Sequence, residues 1–188
     1  MFYFYHLADA QQNHAQGLLS ALEGHQHLWG TFRGLFGLAA NQLFVVTSKS
    51  SNNLPGVVLA HEEWHATARP QSTTALTKPG LYVFRRFQVL QENVEEVVAL
   101  SQQAWQTFEN DASYASEPVA LFRKEDSKTL SKANNDEGKI VDLQLITWYD
   151  GFSSWSKSRT PHPEAAKNFQ RRWALTVSTN AIATNLVT

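Results

Sequence analysis

The chain contains no cysteine. That excludes disulfides, thiolate metal sites and a cysteine nucleophile. Neither sign of charge dominates: Lys plus Arg is 16, Asp plus Glu is 17, and the formal net charge is −1 with no long basic run. Strong nucleic-acid binding rests on neutralising phosphates, so no nucleic-acid partner is expected. No stretch approaches the roughly 18 consecutive apolar residues of a membrane span, so none is expected. The opening residues MFYFYHLADAQQ have no basic n-region and no small-residue cleavage site. They read as no signal peptide, and a cytoplasmic location is the expectation.

What the chain has is apolar and aromatic bulk. Hydrophobic residues make up 43% of 188, with eleven Phe, six Trp and five Tyr. That suffices for a real core and is too much for a disordered chain. Aromatics bury large areas, and they also line cavities.

The most chemically specific string is His61-Glu62-Glu63-Trp64-His65, within PGVVLAHEEWHATARP at 55–70. As H-E-x-x-H it matches a zinc hydrolase motif, whose chemistry needs a helix to bring both imidazoles to one face. On a strand, His61 and His65 stand about 13 Å apart at about 3.3 Å per residue and cannot share a metal.

Strand character runs through 2–7 (FYFYHL), 42–48 (QLFVVTS), 80–90 (GLYVFRRFQVL), 118–123, 139–149 (KIVDLQLITWY) and 180–187. Helical spacing runs from 11 to 30 through Ala15, Leu18, Leu19, Leu22, Leu28 and Trp29, with Asp9 as N-cap. It recurs from 93 to 108, and from Pro161 or Pro163 to about Val177. A charged loop is expected over 125–138. The polar segment 71–79 with its flanking prolines reads as a linker.

The halves read as a repeat. Tyr3 and Tyr82 open matching strands, and strand, Ser/Asn-rich turn, strand, Trp recurs, which matches Trp64 with Trp148. Each unit reads β-α-β-β, with a further α-β clear only in the second. This is the split βαβ, ferredoxin-like pattern. The expected fold is α+β: tandem ferredoxin-like repeats over 1–70 (truncated) and 80–188, with antiparallel sheets facing each other as in a dimeric α/β barrel. Such a repeat makes 57–66 a strand, equivalent to 139–149.

The stretch Leu81 to Val89, the helix after it, Trp148-Tyr149 and the helix from Glu164 to Trp173 together resemble the NIPSNAP family of the dimeric α/β-barrel superfamily. Tyr82, Phe84, Arg85 and Phe87 fit that family's Tyr-x-Leu-Arg-x-Tyr strand. Trp148 fits its His-Leu-Trp-x-Tyr strand, with Ile146 where the family has His and Asp150 where it has Tyr. The resemblance implies the fold. With Ile146 in that place it implies no His-based site.

Alternation sorts the strand faces. Val141, Leu143 and Leu145 are expected against helices, and Asp142, Gln144, Ile146 and Trp148 inward. By the repeat, His61 and Glu63 point outward and Glu62 and Trp64 inward. Phe4, His6, Val83, Arg85 and Phe87 are likewise assigned inward. His6, Glu62 and Arg85 are then the candidate catalytic group: a base, an orienting carboxylate and a cation for developing negative charge. Phe4, Trp64, Gln144 and Trp148 are the candidate ligand-binding residues. The competing readings are structural: His6 as a hydrogen-bonded core residue, Arg85 in an ion pair with Glu62 or Asp142, the two Trp as core anchors, and Arg171-Arg172 as a solvated helix face.

The functional expectation is a protein that holds a small apolar or aromatic molecule between its sheets, as a cofactor-free oxygenase, cyclase or isomerase if it is an enzyme. No metal and no cofactor is assigned, and a homo-oligomer is compatible with the fold. The alternatives are a non-enzymatic binding or assembly module, and a zinc hydrolase through His61-Glu62-x-x-His65. On the strand reading, elemental analysis of the purified protein finds no stoichiometric zinc. Stoichiometric zinc that disappears in His61→Ala would overturn that assignment.

Overall fold

A computed structural model describes residues 1–10, 15–51, 53–110, 115–124 and 138–187, apart from the Phe108 side chain. The expected helix start at 11–14 and most of the charged loop at 125–138 lie outside the described residues. Eight strands form a closed antiparallel sheet in the order β1-β3-β2-β8-β5-β7-β6-β4. They are β1 (Phe2–Asp9), β2 (Leu28–Phe36), β3 (Gln42–Thr47), β4 (Val57–Arg69), β5 (Leu81–Leu90), β6 (Ser116–Lys124), β7 (Ile140–Tyr149) and β8 (Thr176–Leu186). The helices are α1 (Ala15–Leu22), α2 (Val94–Asn110), α3 (Phe152–Ser158) and α4 (Pro163–Ala174). No described helix is long and apolar enough to cross a membrane.

Two elements depart from the expectation. The helix expected to reach residue 30 stops at Leu22, and Leu28 to Phe36 form β2. Gly24 and His27 take positive φ values of 74° and 65°, which a helix does not accommodate. Beyond them Trp29 and Phe32 are buried in the sheet. The first half therefore has four strands, and the element without a counterpart is the helix before β4. The second difference is α3, short and unanticipated, which follows directly on β7.

Within the closed order, β4-β1-β3-β2 and β8-β5-β7-β6 run in the same sense. By position β4 corresponds to β8 and β3 to β7, so Trp64 and Trp148 do not occupy matching places. Between β7 and β8 lie α3 and α4, whereas no helix is described between β3 and β4.

The zinc-motif residues lie in β4, paired with β1 through His61↔His6 and Glu62↔Tyr5. No group of three or more metal-ligating side chains occurs among the described residues.

The inner face of the sheet is filled with rings. Tyr3, Tyr5, Trp29, Phe32, Phe44, Trp64, Tyr82, Phe84, Phe122 and Trp148 form one buried cluster. Phe32 meets Tyr82 and Phe84 edge-on at 5.3 and 4.8 Å, the offset geometry that ring quadrupoles favour. Outside, Leu18 and Leu22 of α1 pack on Ala8, Leu43 and Val45. Val94, Val97 and Trp105 of α2 pack on Phe87, Val89, Leu121, Val141 and Leu143. The segment 71–79 crosses one end of the sheet. Tyr3 donates to the Ser72 carbonyl at 2.8 Å, Trp148 Nε1 to Pro79 at 2.9 Å and Tyr82 to Lys78 at 2.8 Å. Gly80 has a φ of 145°, and a methyl group there would strike the Trp148 indole and the Tyr149 carbonyl.

The inward assignments on β7 and of Glu62 and Trp64 on β4 agree with the structure, whereas those on β1 and β5 are one residue out. Tyr3 and Tyr5, and Tyr82, Phe84 and Arg86, face inward. Phe4, His6, Val83, Arg85 and Phe87 face outward. Period-two alternation means that a slip of one residue turns every side chain over, and the bulkier rings took the interior.

Arg86 therefore makes the ion pair considered for Arg85. It donates to Glu62 at 2.6 and 3.2 Å and lies 4.0 Å from Asp142, and Lys124 also reaches Glu62 at 2.6 Å. Burial pushes the Glu62 carboxyl up, but hydrogen bonds from Arg86 and Lys124, with their charges, outweigh it and hold the pKa below the ordinary value. His6 is 1% exposed. Its Nδ1 lies 3.1 Å from His61 Nδ1, and its Nε2 lies 3.5 Å from Thr47 Oγ1. Burial, then the nearby His61 and His25, lower its pKa from 6.5 to about 4. It is a neutral imidazole at neutral pH, the reverse of the carboxylate-charged base expected for it.

Both groups give stability a pH dependence of the same sign. Between about 6.5 and about 4 the unfolded chain binds a proton on His6 that the folded chain refuses, so stability falls as pH falls through that window. Glu62, depressed in the fold, stabilises above its unfolded pKa, and that contribution is lost as pH falls through the folded value. In urea unfolding curves at stepped pH, His6→Asn should flatten the loss in the first window. Glu62→Gln should cost about 3 kcal/mol at pH 7, because it leaves Arg86 and Lys124 without their carboxylate, and should flatten the loss at lower pH. A wild-type stability unchanged from pH 7 to 4 would contradict both.

Candidate ligand site

Among the described residues, the interior of the sheet leaves no room for a ligand beside the ring cluster. The void beside Tyr3, Tyr5, Trp64, Gln144 and Ile146 measures about 10 Å³, space for at most one water. The expectation of a molecule between the sheets fails on ring packing.

A second space lies on the outer face. A cleft of about 510 Å³ opens between the sheet and the helices of the second half, within the range of small-molecule sites. Its floor is the outward face of Val83 and Arg85 on β5 and Leu145, Thr147 and Tyr149 on β7. Trp105 of α2, Trp155 and Ser158 of α3, and Phe169, Arg172 and Trp173 of α4 wall it. Arg159, Pro161 and Pro118 complete the lining.

The gap exists because α4 leans on α2. Ala104 and Ala165 pack fully buried with Phe169 against them; small side chains there let the helices approach closely. Arg171 braces the pair through two hydrogen bonds to Glu96, at 2.6 and 3.0 Å. The helix begins cleanly: Pro163 stands in its first turn, His162 Nδ1 accepts from the Glu164 N–H at 3.4 Å, and Glu164 and Arg171-Arg172 lie at the ends that suit their charges. With Arg171 turned to α2, the next residue, Arg172, turns to the cleft. On the opposite wall, α3 is tied to the start of β6 by the Ala115 N–H donating to Ser154 Oγ at 3.3 Å.

Arg172 donates to Ser101 Oγ at 3.2 Å, and its guanidinium lies 5.0 and 4.9 Å from the rings of Phe87 and Phe169. Burial, then the Arg85 charge, lowers its pKa to about 10, so it remains a cation at neutral pH. The Tyr149 hydroxyl accepts from Ser158 Oγ at 3.4 Å. Burial raises its pKa against the opposing pull of Ser158 and of Arg85, which keeps it a phenol able to donate. The Arg85 guanidinium makes no ion pair or hydrogen bond with a described residue. The site can stack a flat apolar ring between Trp and Phe side chains, meet negative charge with guanidiniums and donate a proton from Tyr149. No imidazole or carboxylate is among its described lining residues.

Of the seven expected site residues, only Arg85 lines the cleft. Glu62 and Trp64 are inside the sheet, where Arg86 lies 5.0 Å from the Trp64 ring. Gln144 is buried inside with them. Trp148 anchors the segment at 71–79, with Lys78 Nζ 3.4 Å from its ring. Phe4 stacks on His61 at 5.9 Å on the outer face of the first half, where His6 also lies. His6, Glu62 and Arg85 thus occupy three separate environments, and the acid–base trio is not assembled. The residues that sequence reading passed over are Tyr149, Trp155, Ser158, Arg172 and Trp173. One signal was available: Arg171, Arg172 and Trp173 are consecutive in a helix, so they cannot all share one solvated face.

No protein-family profile matches this chain, and no curated protein matches it significantly. Solved structures do. A ferredoxin-fold protein from Listeria monocytogenes, described as related to antibiotic biosynthesis monooxygenases, is 9% identical; the match covers 100% of this chain and 95% of that one with a TM-score of 0.57. An anthrone oxidase-like protein is 10% identical over 100% and 91%, with a TM-score of 0.56. LmHde, the heme-degrading enzyme of Listeria monocytogenes, is 8% identical over 97% and 98%, with a TM-score of 0.54. At these identities the likeness is one of fold: the chain is an α+β protein with the ferredoxin-like fold.

Proposed function

We propose that the chain binds a small, flat, apolar or aromatic compound in the cleft between β5–β7 and helices α2, α3 and α4, and acts on it as a cofactor-free oxygenase. The observation that carries this reading is the cleft itself: about 510 Å³, walled by Trp105, Trp155, Phe169 and Trp173. The neighbours described as anthrone oxidase-like and as related to antibiotic biosynthesis monooxygenases support it. In such chemistry the substrate supplies the electrons that dioxygen takes, so the protein's task is to orient it and stabilise its developing negative charge. Arg85 and Arg172 suit that charge, and the neutral Tyr149 phenol suits a hydrogen bond to it. The described lining residues include no imidazole, thiolate or thioether, so they favour a flat organic ring over haem, the substrate named for LmHde. The repeated strand order supports reading the fold as two ferredoxin-like units closed on each other in one chain, in the manner of a dimeric α/β barrel. The local likeness of 80–188 to NIPSNAP proteins belongs with that reading.

Calorimetric titration with anthrone should show saturable binding, and oxygen-electrode traces should show dioxygen uptake dependent on the protein. Trp155→Ala, which removes one aromatic wall, should weaken binding about tenfold. Absence of binding by anthrone and by simpler fused-ring compounds would remove the reading.

A further inference from the structure

The chain contains two Arg-Arg pairs, and each is split in the same way. Arg86 turns inward to Glu62, while Arg85 turns outward into the cleft. Arg171 pairs with Glu96, while Arg172 turns into the same cleft. Arg69, at the end of β4, pairs with Glu109. Arg86, Arg171 and Arg69 thus have carboxylate partners and Arg123 is held by the Gln91 amide oxygen at 3.0 Å, whereas the two on the cleft's floor and wall have no carboxylate partner among the described residues. Arg159 adds a third guanidinium at the rim, 5.6 Å from the Trp155 ring. No Asp or Glu among the described residues lines the cleft.

Like charges gathered in a partly desolvated space disfavour one another. Acids are not scarce in this chain, which carries 17 against 16 bases. Cations left together facing a cavity with aromatic walls are the arrangement that recognises an anion, because a guanidinium presents a fork of donors matched to a carboxylate or a similar planar oxyanion. Resting on the ligand reading above, we infer that the compound held in this cleft is an anion: a flat aromatic ring system bearing a carboxylate or an acidic phenol, with the ring between Trp155 and Phe169 and the oxyanion on Arg85 and Arg172.

The test compares 2-naphthoate with 2-naphthamide, which share a ring and differ in charge, by calorimetry on the full chain. The naphthoate should bind at least tenfold more tightly at low salt, with an advantage that shrinks as ionic strength rises. Arg85→Gln and Arg172→Gln should each reduce the advantage toward parity by weakening naphthoate binding more than naphthamide binding. Arg172→Lys should keep part of it. Circular dichroism and melting curves should show that the variants are folded, and Arg85→Gln, on an outward half-buried position, keeps the test available if Arg172→Gln loosens α4. Equal affinity for the two compounds would overturn the anion inference while leaving the aromatic cleft intact. Binding of neither compound, with no response to Trp155→Ala, would overturn the ligand reading and this inference with it.

Discussion

Closure of the sheet is the constraint from which the other features follow. Eight strands pair around with no free edge, β4 to β1 on one side and β4 to β6 on the other. A closed sheet of this size has an interior just wide enough for side chains to fill, and here aromatic rings fill it. Once Tyr3, Tyr5, Phe32, Phe44, Tyr82 and Phe84 are inside, alternation sends their neighbours outward. His6, Val83 and Arg85 are outside because their neighbours' rings are in.

That same constraint moves the candidate site. Ligand space cannot form in a packed interior, so it forms where a helix stands off the outer face. In the first half α1 lies directly on the sheet through Leu18 and Leu22. In the second half α4 rests on α2 through Ala104 and Ala165, and the cleft is the gap that remains between α4, α3 and the strands. The charged groups divide along the same boundary. Glu62, Arg86, Lys124 and Asp142 satisfy one another inside, whereas Arg85 and Arg172 face the cleft with no acid among its described lining residues.

The strands of the second half and α2 were legible because their periodicities are long and uninterrupted: Leu81 to Leu90, Val94 to Asn110 and Ile140 to Tyr149. The β4 assignment came from matching 57–66 to 139–149 against a five-residue motif whose chemistry needs a helix; the strand is there, but the strand order sets β4 where β8 stands and not where β7 does. β2 was not legible, since Leu28 and Trp29 continue the spacing of the preceding helix and only the positive φ values at Gly24 and His27 break it. The site was mostly not legible. Arg85 was singled out for its charge and assigned the wrong face, because Val83-Arg85-Phe87 and Tyr82-Phe84-Arg86 are both plausible inward sets by pattern alone. Tyr149, Trp155 and Arg172 gain meaning only once α3 and α4 are placed beside β7.

By itself the sequence determined the class of fold, the aromatic character of the core and the exclusion of thiolate chemistry, because composition and local periodicity carry that information. The strand expected at 57–66 is present, but its pairing with β1 and β6 is what fixes it, since the match to 139–149 is not kept in the strand order. The tertiary structure alone decided which face of β1 and β5 is buried, because competition between rings for a closed interior is a global packing question. It likewise decided that two arginines from residues 87 positions apart share one cleft, since their approach depends on how α4 docks on α2 and on nothing within either segment.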